Sequence, residues 1–131
     1  MKIVADTNTF LAVALDEPEK AWLIEVTEGL DLVAPAVLPY EIGNALSALA
    51  RRKVLTKAQL AAAWDAATAV PVELASIDVR AALLLAGHFH IYAYDAYFLQ
   101  CALETKSPLL TLDRGMKHVA KLLDITLVEP S

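Results

Sequence analysis

The chain has 131 residues, 57% of them hydrophobic, which is enough apolar material for one domain with a full core. Its net charge of −5 argues against the broad basic surface of a typical nucleic-acid-binding domain, so any such contact must be local or bridged by metal. The single cysteine, Cys101, excludes an internal disulfide and favours a reducing compartment. We expect one domain, residues 1–131, in the cytoplasm without a membrane span or signal peptide.

Short apolar runs alternate with helical patterns along the chain, and Gly, Pro and helix-capping residues separate them. The strands are expected at residues 2–5, 32–34, 72–74, 109–112 and 125–128. The helices are expected from Thr7 to about Asp16, from Pro18 to Gly29, from Pro35 to Arg52, from the Thr56 cap to Pro71, from a cap at Ser76 or Asp78 to Gly87, from near Asp95 to about Lys106, and from Arg114 to Leu123.

The strands are short and uniformly apolar, and helices separate them, which indicates a parallel sheet covered on both faces. The expected fold class is therefore α/β, a three-layer α/β/α sandwich with a central parallel sheet. Ligands of such folds bind outside the carboxyl ends of the strands. Asp6 and Asp113 each follow directly after an expected strand, so both belong at that edge of the sheet.

Four acids stand beside apolar segments in distant parts of the sequence. Asp6 follows KIVA, Glu41 follows VLPY, Asp95 follows IYAY and Asp113 follows LLTL. A buried carboxylate without a partner is costly, so four converging acids suggest a shared counter-charge. A divalent metal ion is the simplest candidate, and oxygen-only ligands favour Mg²⁺ or Mn²⁺ over zinc. Such ions suit the hydrolysis of phosphate esters.

Helical spacing sharpens the positions of two of these acids. Glu41 and Asn44 are three residues apart, so they share a helix face that borders the apolar stripe and both could reach one site. Asp95 lies in line with Leu99 and Ala102 at positions i, i+4 and i+7, on the apolar side of its helix. A solvated surface acid would lie on the opposite side.

Simpler interpretations exist for each candidate. Asp6, Asp95 and Asp113 could each cap a helix, and Glu41 could be a surface acid near a helix start. The pair His88-x-His90 is a rival metal motif, but it is expected in a loop without a nearby cysteine or third histidine, which zinc would usually require.

Three basic residues follow the fourth acid with helical spacing. Arg114, Lys117 and Lys121 fall at i, i+3 and i+7 and form one stripe. This stripe could contact a phosphate backbone beside the acids. The alternative is a solvated helix face with ordinary cationic residues.

The acids stand in four segments that together resemble the PIN-domain nucleases over nearly the whole chain. The segments are IVADTNTFLAVAL, LPYEIGNAL, YDAYFLQCAL and LLTLDRGMKHVA. The small size and the YDA-type motif look most like the VapC toxins of bacterial and archaeal toxin–antitoxin pairs. The resemblance implies a metal-dependent ribonuclease that acts on RNA, commonly dimerises and is held inactive by a VapB-like antitoxin.

The resemblance also implies roles for individual residues. Asp6, Glu41, Asp95 and Asp113 would form the acidic site around Mg²⁺ or Mn²⁺. Small polar residues beside them would orient the carboxylates. These neighbours are Thr7, Asn8, Asn44 and Thr111.

Other functions remain open on the sequence alone. Within the same family, the chain could be a housekeeping RNA-processing nuclease or a non-catalytic interaction module. A hydrolase with an aspartate nucleophile would need Asp-x-Asp after the first strand, whereas this chain has Asp6-Thr7-Asn8. A phosphate-accepting signalling domain would need a lysine after a late strand, where Asp113 stands.

Overall fold

The computed structural model describes residues 1–129, which form four strands and seven helices, with two helices after each of the first three strands and one after the fourth. The strands are β1 (Lys2–Ala5), β2 (Asp31–Pro35), β3 (Glu73–Ala75) and β4 (Leu109–Leu110). The helices are α1 (Thr7–Ala14), α2 (Lys20–Thr27), α3 (Leu38–Arg51), α4 (Lys57–Thr68), α5 (Val79–Phe89), α6 (Ala93–Thr105) and α7 (Arg114–Leu122). No helix among the described residues is long and apolar enough to cross a membrane.

The four strands form one parallel sheet in the order β3-β2-β1-β4. Strand β1 is central, and its residues Ile3, Val4 and Ala5 are buried. Ala5 lies opposite Leu110 of β4, so the chain leaves both strands at the same level of the sheet. The residues that follow β1 and β4 are thereby brought together at the carboxyl edge.

The helices pack in two groups around this sheet. Helix α1 contacts α2, α3 and α4, whereas α6 contacts α5, α7 and the two strands β1 and β2. Helix α6 presents a buried face to the sheet, since Ala96, Phe98, Leu99, Cys101 and Ala102 are all inaccessible or nearly so. The expected three-layer α/β/α sandwich with a central parallel sheet is confirmed.

Side-chain caps define where several helices begin. The backbone N–H of Thr9 donates to Asp6 Oδ1 at 3.1 Å, and the N–H of Gly115 donates to Asp113 Oδ1 at 2.9 Å. Both aspartates therefore are helix caps, as the simpler interpretation of the sequence allowed. Asp95 is not a cap, because α6 begins after Tyr92 and Asp95 lies within its first turn.

The structure corrects several expected boundaries. Pro35 does not open α3 but ends β2, where it pairs with Ala75, and the helix begins only at Leu38. Residues 125–128 form no full strand, because β4 offers only two residues and a single bridge joins Leu109 to Leu127. Helix α5 continues past Gly87 to Phe89, since the next residue turns into the left-handed conformation that ends it.

Candidate active site

Three of the four acids line one cavity of about 120 Å³ at the carboxyl edge of β1. Asp6 follows β1 directly, Glu41 lies in the first turn of α3, and Asp95 lies in the first turn of α6. Asn8 and Asn44 also line the cavity. The helical spacing of Glu41 and Asn44 in the sequence therefore does bring both side chains to one place.

Asp6 is the most buried acid of the group, with 3% of its surface exposed. The Thr111 hydroxyl donates to Asp6 Oδ2 at 2.5 Å, and the Thr9 N–H donates to the other carboxylate oxygen. Thr111 Oγ1 also accepts from the backbone N–H of Asp113 at 3.1 Å. Thr111 thus connects the first acid to the segment that carries the fourth.

The register of the sheet explains this contact between residues 105 positions apart. Ala5 of β1 is paired with Leu110 of β4, and Asp6 and Thr111 are the residues that directly follow this pair, so their side chains meet. Glu41 has a similar partner, because the hydroxyl of Thr7 donates to Glu41 Oε2 at 2.6 Å. Two threonines therefore fix two carboxylates from the start of α1 and the end of β4.

Burial and mutual repulsion raise the pKa values of the three carboxylates that line the cavity. The pKa of Asp6 is raised to about 6, mainly by burial and also by the charges of Asp113 and Asp95, although the hydrogen bonds from Thr111 and Thr9 lower it. The Glu41 pKa is raised by burial and by Asp95, although its bond from Thr7 lowers it. The pKa of Asp95 is raised by burial and by the charge of Asp113.

No lysine or arginine among residues 1–129 lines this cavity. The two ion pairs found in that part of the chain, Lys2–Glu73 and Lys20–Asp16, involve none of the four acids. The acids therefore repel one another without a protein counter-charge. This electrostatic arrangement is typical of functional sites more often than of a folding core.

The donor set fits a hard divalent cation, because carboxylate and amide oxygens are the ligands that Mg²⁺ and Mn²⁺ prefer. Within residues 1–129, no three acidic, imidazole or thiol groups are close enough to form a ready-made metal site. Binding therefore requires the carboxylates around the cavity to turn toward a common point. Asp95, which is only half-buried, has the freedom to do so, whereas Glu41 would first have to release its hydrogen bond from Thr7.

Asp113 lies at the margin of the cavity. Its carboxylate caps α7 and does not line the cavity, although its charge acts on both Asp6 and Asp95. The sequence analysis does not predict two of the lining residues, Phe98 and Met116. Each lies three residues after an acid, Asp95 or Asp113, and this helical spacing was the available signal.

The remaining candidates lie away from the cavity lining. Arg114, Lys117 and Lys121 all belong to α7, with Lys117 half-buried and the other two exposed. His88 and His90 are exposed at the end of α5, and no third metal-binding side chain accompanies them in the described part of the chain.

Two of the solved structures that match the chain illustrate this fold. One is the crystal structure of PAE2754 from Pyrobaculum aerophilum, with a TM-score of 0.68 and 22% identity over 88% of this chain and 77% of that chain. The other is VapBC2 from Rickettsia felis bound to a DNA fragment from their promoter, with a TM-score of 0.67 and 14% identity over 98% of both chains. At these identities the similarity shows the fold alone.

No curated protein matches the chain by sequence. The sequence pattern of the PIN domain matches residues 3–122, a range that includes all four acids and both threonines that hold them. This match extends over most of the chain, and the topology of the two solved structures agrees with it. The chain belongs to the PIN domain family.

Proposed function

We propose that the protein is an endoribonuclease that requires Mg²⁺ or Mn²⁺ and hydrolyses RNA phosphodiester bonds. The observation that carries this proposal is the cavity at the carboxyl edge of β1, where Asp6, Glu41 and Asp95 converge without a protein counter-charge. Membership of the PIN domain family supports it, because PIN domains are generally nucleases.

In this proposal Asp6, Asp95 and Asp113 hold the cation directly, and Glu41 binds it or positions the attacking water. When bound, the cation supplies a Lewis acid for the phosphate oxygens and makes water a stronger nucleophile at neutral pH. Thr111 and Thr7 fix the carboxylates of Asp6 and Glu41 through the hydrogen bonds described above. Because these bonds favour the ionised acids, they keep the site ready for a cation.

Polar and basic residues around the acids would bind the RNA. Asn8 and Asn44 line the cavity and offer amide groups to a phosphate or ribose. The α7 stripe begins directly after Asp113 and would contact the neighbouring phosphates. The stripe consists of Arg114, Lys117 and Lys121.

We propose further that the protein is the toxin of a VapBC-type pair and that a VapB-like antitoxin inhibits it. The similarity to VapBC2 of Rickettsia felis over 98% of both chains supports this biological role. A small gene immediately upstream, whose product co-purifies with this chain and suppresses its cleavage of RNA, is the expected observation. Normal growth of cells that express the chain alone would favour a housekeeping role instead.

The test of the enzymatic proposal is incubation of the purified protein with total cellular RNA and Mg²⁺ or Mn²⁺. Discrete fragments that disappear with EDTA are expected. The protein should first be denatured and refolded, so that a co-purified inhibitor is removed. Intact RNA after this treatment would count against a ribonuclease and in favour of a non-catalytic interaction module.

Replacing Thr111 by Val should lower cleavage by roughly 10- to 100-fold, the usual cost of losing a partner that orients a metal-binding carboxylate. Valine has nearly the same shape but cannot donate to Asp6 Oδ2 or accept from the Asp113 N–H. Thr111→Ser is the matched control, because it keeps the hydroxyl. Initial cleavage rates of the three proteins on one RNA test this, and equal rates for Val and Thr would contradict it.

Millimolar Mn²⁺ should raise the melting temperature of the wild-type protein by roughly 5 °C or more, since the cation binds the native state preferentially. The carboxylates repel one another only in the folded protein, where they are held together, so a bound cation relieves this repulsion in the folded state alone. Thermal scans with and without Mn²⁺ measure the shift, and the Asp6→Asn variant should show a smaller one. An unchanged wild-type melting temperature would mean that the acids bind no cation.

We also propose that the chain forms a homodimer, as the resemblance to VapC toxins implies. Helix α5 supports this, because Leu83 and Leu84 are 51% and 61% exposed on its outer surface. Light scattering at micromolar concentration should give twice the 14.2 kDa mass of one chain. Replacing both leucines by Glu should restore the monomeric mass, whereas a monomeric wild-type protein would contradict the proposal.

A further inference from the structure

A second cavity, of about 380 Å³, opens at the carboxyl ends of β2 and β3. Its volume lies within the range of small-molecule sites. The lining is mostly apolar and includes one aromatic ring. The residues that matter here are Pro35, Ala36, Val37, Ala75, Ile77 and Tyr97.

This second cavity neighbours the carboxylate cavity through two helices. Glu41 lines the carboxylate cavity, and its N–H donates to the carbonyl of Val37, which lines the second cavity one turn earlier. On α6, Asp95 lines the carboxylate cavity and Tyr97 lines the second. Since adjacent strands are about 4.8 Å apart, the end of β3 lies about 10 Å from the end of β1. One nucleotide can span this separation.

The one aromatic ring in the lining of the second cavity is restrained by a neighbouring ring. Tyr97 is half-buried, and its ring makes an edge-to-face contact with Tyr94 at 5.9 Å between centroids and 84° between planes. This contact restricts the ring of Tyr97 and leaves it available to the cavity. Aromatic side chains in such positions are the usual stacking partners of unpaired bases.

We infer that the second cavity binds an unpaired nucleobase of the RNA, next to the phosphate held at the acids, with Tyr97 as its stacking partner. This inference rests on the proposed ribonuclease activity and names its substrate as single-stranded RNA. The cavity lining has no charged side chain, so it suits a flat, largely uncharged ring and not a phosphate. It also explains how an acidic protein gains affinity for RNA, because stacking adds binding energy that a net charge of −5 cannot supply.

The test is NMR titration of the isotopically labelled wild-type protein in Mg²⁺ with each of the four nucleoside 5′-monophosphates. Ribose 5-phosphate, which lacks the base, is the matched control. At least one nucleotide should shift the backbone amide signals of Ala36 and Ile77 at concentrations where ribose 5-phosphate does not. If every nucleotide gives only the shifts seen with ribose 5-phosphate, the inference is overturned. It is also overturned if an apolar peptide, added in a separate titration, moves these signals and no nucleotide does.

Two variants test the cavity directly. Tyr97→Leu should weaken binding of the responding nucleotide about tenfold or more, whereas Tyr97→Phe should keep it, because the ring is retained. Ala36→Leu, at an exposed position outside the core, should block the cavity and reduce binding even if Tyr97→Leu does not fold. Unchanged nucleotide binding in Ala36→Leu, or in a folded Tyr97→Leu, would overturn the inference.

Base binding and cleavage are measured separately in this design. Nucleotide shifts at Ala36 and Ile77 without any cleavage of RNA would refute the proposed enzyme and leave the base site standing. Cleavage of RNA without these shifts would refute the base site and leave the enzyme standing.

Discussion

Replacing Asp95 by Asn is expected to lower the rate of RNA cleavage by more than about 100-fold. Loss of a partner that only orients a metal-binding carboxylate costs about 10- to 100-fold, so loss of a carboxylate that binds the cation should cost more. The charge of Asp95 raises the pKa values of Asp6 and Glu41, and the charge of Asp113 raises that of Asp95. Asp95 therefore interacts with all three other acids. Asparagine keeps the shape and removes the charge.

The matched control is Asp65→Asn, which makes the same chemical change at an exposed position on α4, away from the cavity. Cleavage rates on one RNA at saturating Mn²⁺ should be unaffected by this control. The Asp95→Asn protein should keep the circular dichroism spectrum of the wild type, because Asp95 makes no capping bond in α6. Full activity of folded Asp95→Asn would remove this residue from the site.

The second large effect concerns stability in the absence of metal, and it arises from Asp6. Its folded-state pKa of about 6 lies above the ordinary value of 3.8, so the fold favours the protonated acid. The stabilisation of the fold by protonated Asp6 is fully present below about pH 3.8 and is lost as the pH rises through about 6. A shift of this size corresponds to about 3 kcal/mol of unfolding free energy at neutral pH.

The Asp6→Asn variant should lack this pH dependence, because asparagine does not ionise. Its amide can keep a bond from the Thr9 N–H and donate to Thr111 Oγ1, whose hydroxyl then turns toward Met116 Sδ at 3.8 Å. Urea unfolding in EDTA between pH 4 and 7.5 measures the difference between the two proteins. The wild type should lose up to about 3 kcal/mol relative to the variant over this range. Parallel pH profiles would show that Asp6 titrates normally.

These two predictions concern the same carboxylates, which favour activity with metal but lower the stability of the fold without it. The carboxylates that are proposed to bind the cation destabilise the metal-free fold, since burial and mutual repulsion oppose their ionisation. Natural proteins commonly accept lower stability at functional sites. Variants of Asp6 are therefore expected to be more stable without metal at neutral pH and less active with it.

Local sequence patterns were sufficient for the architecture and for the edge of the sheet where the acids meet. The apolar run at residues 2–5 predicts β1 with its observed bounds. Because Asp6 and Asp113 directly follow predicted strands, the sequence also predicts that both lie at the carboxyl edge of the sheet. Pro35 was misassigned, because a proline that ends a buried strand and one that opens a helix carry the same local signal. Only pairing with β3 distinguishes the two cases.

Contacts between distant segments were beyond the sequence patterns. The bond from Thr111 to Asp6 depends on the register between β1 and β4, which no local pattern encodes. For the same reason the sequence could not show that Asp113, unlike the other three acids, stays at the margin of the cavity. The metal-binding and catalytic roles of the four acids stay predictions that require measurement.

The most direct test of the central claim is a crystal structure of the protein grown with Mn²⁺, with anomalous diffraction measured at the manganese absorption edge. An anomalous peak among the carboxylates of Asp6, Asp95 and Asp113, with Glu41 in contact with it directly or through a water, is the predicted result. The ligands should lie close to the distances expected for a hard divalent cation. A well-ordered structure without a peak at these acids, or with a peak only at His88 and His90, would contradict the account.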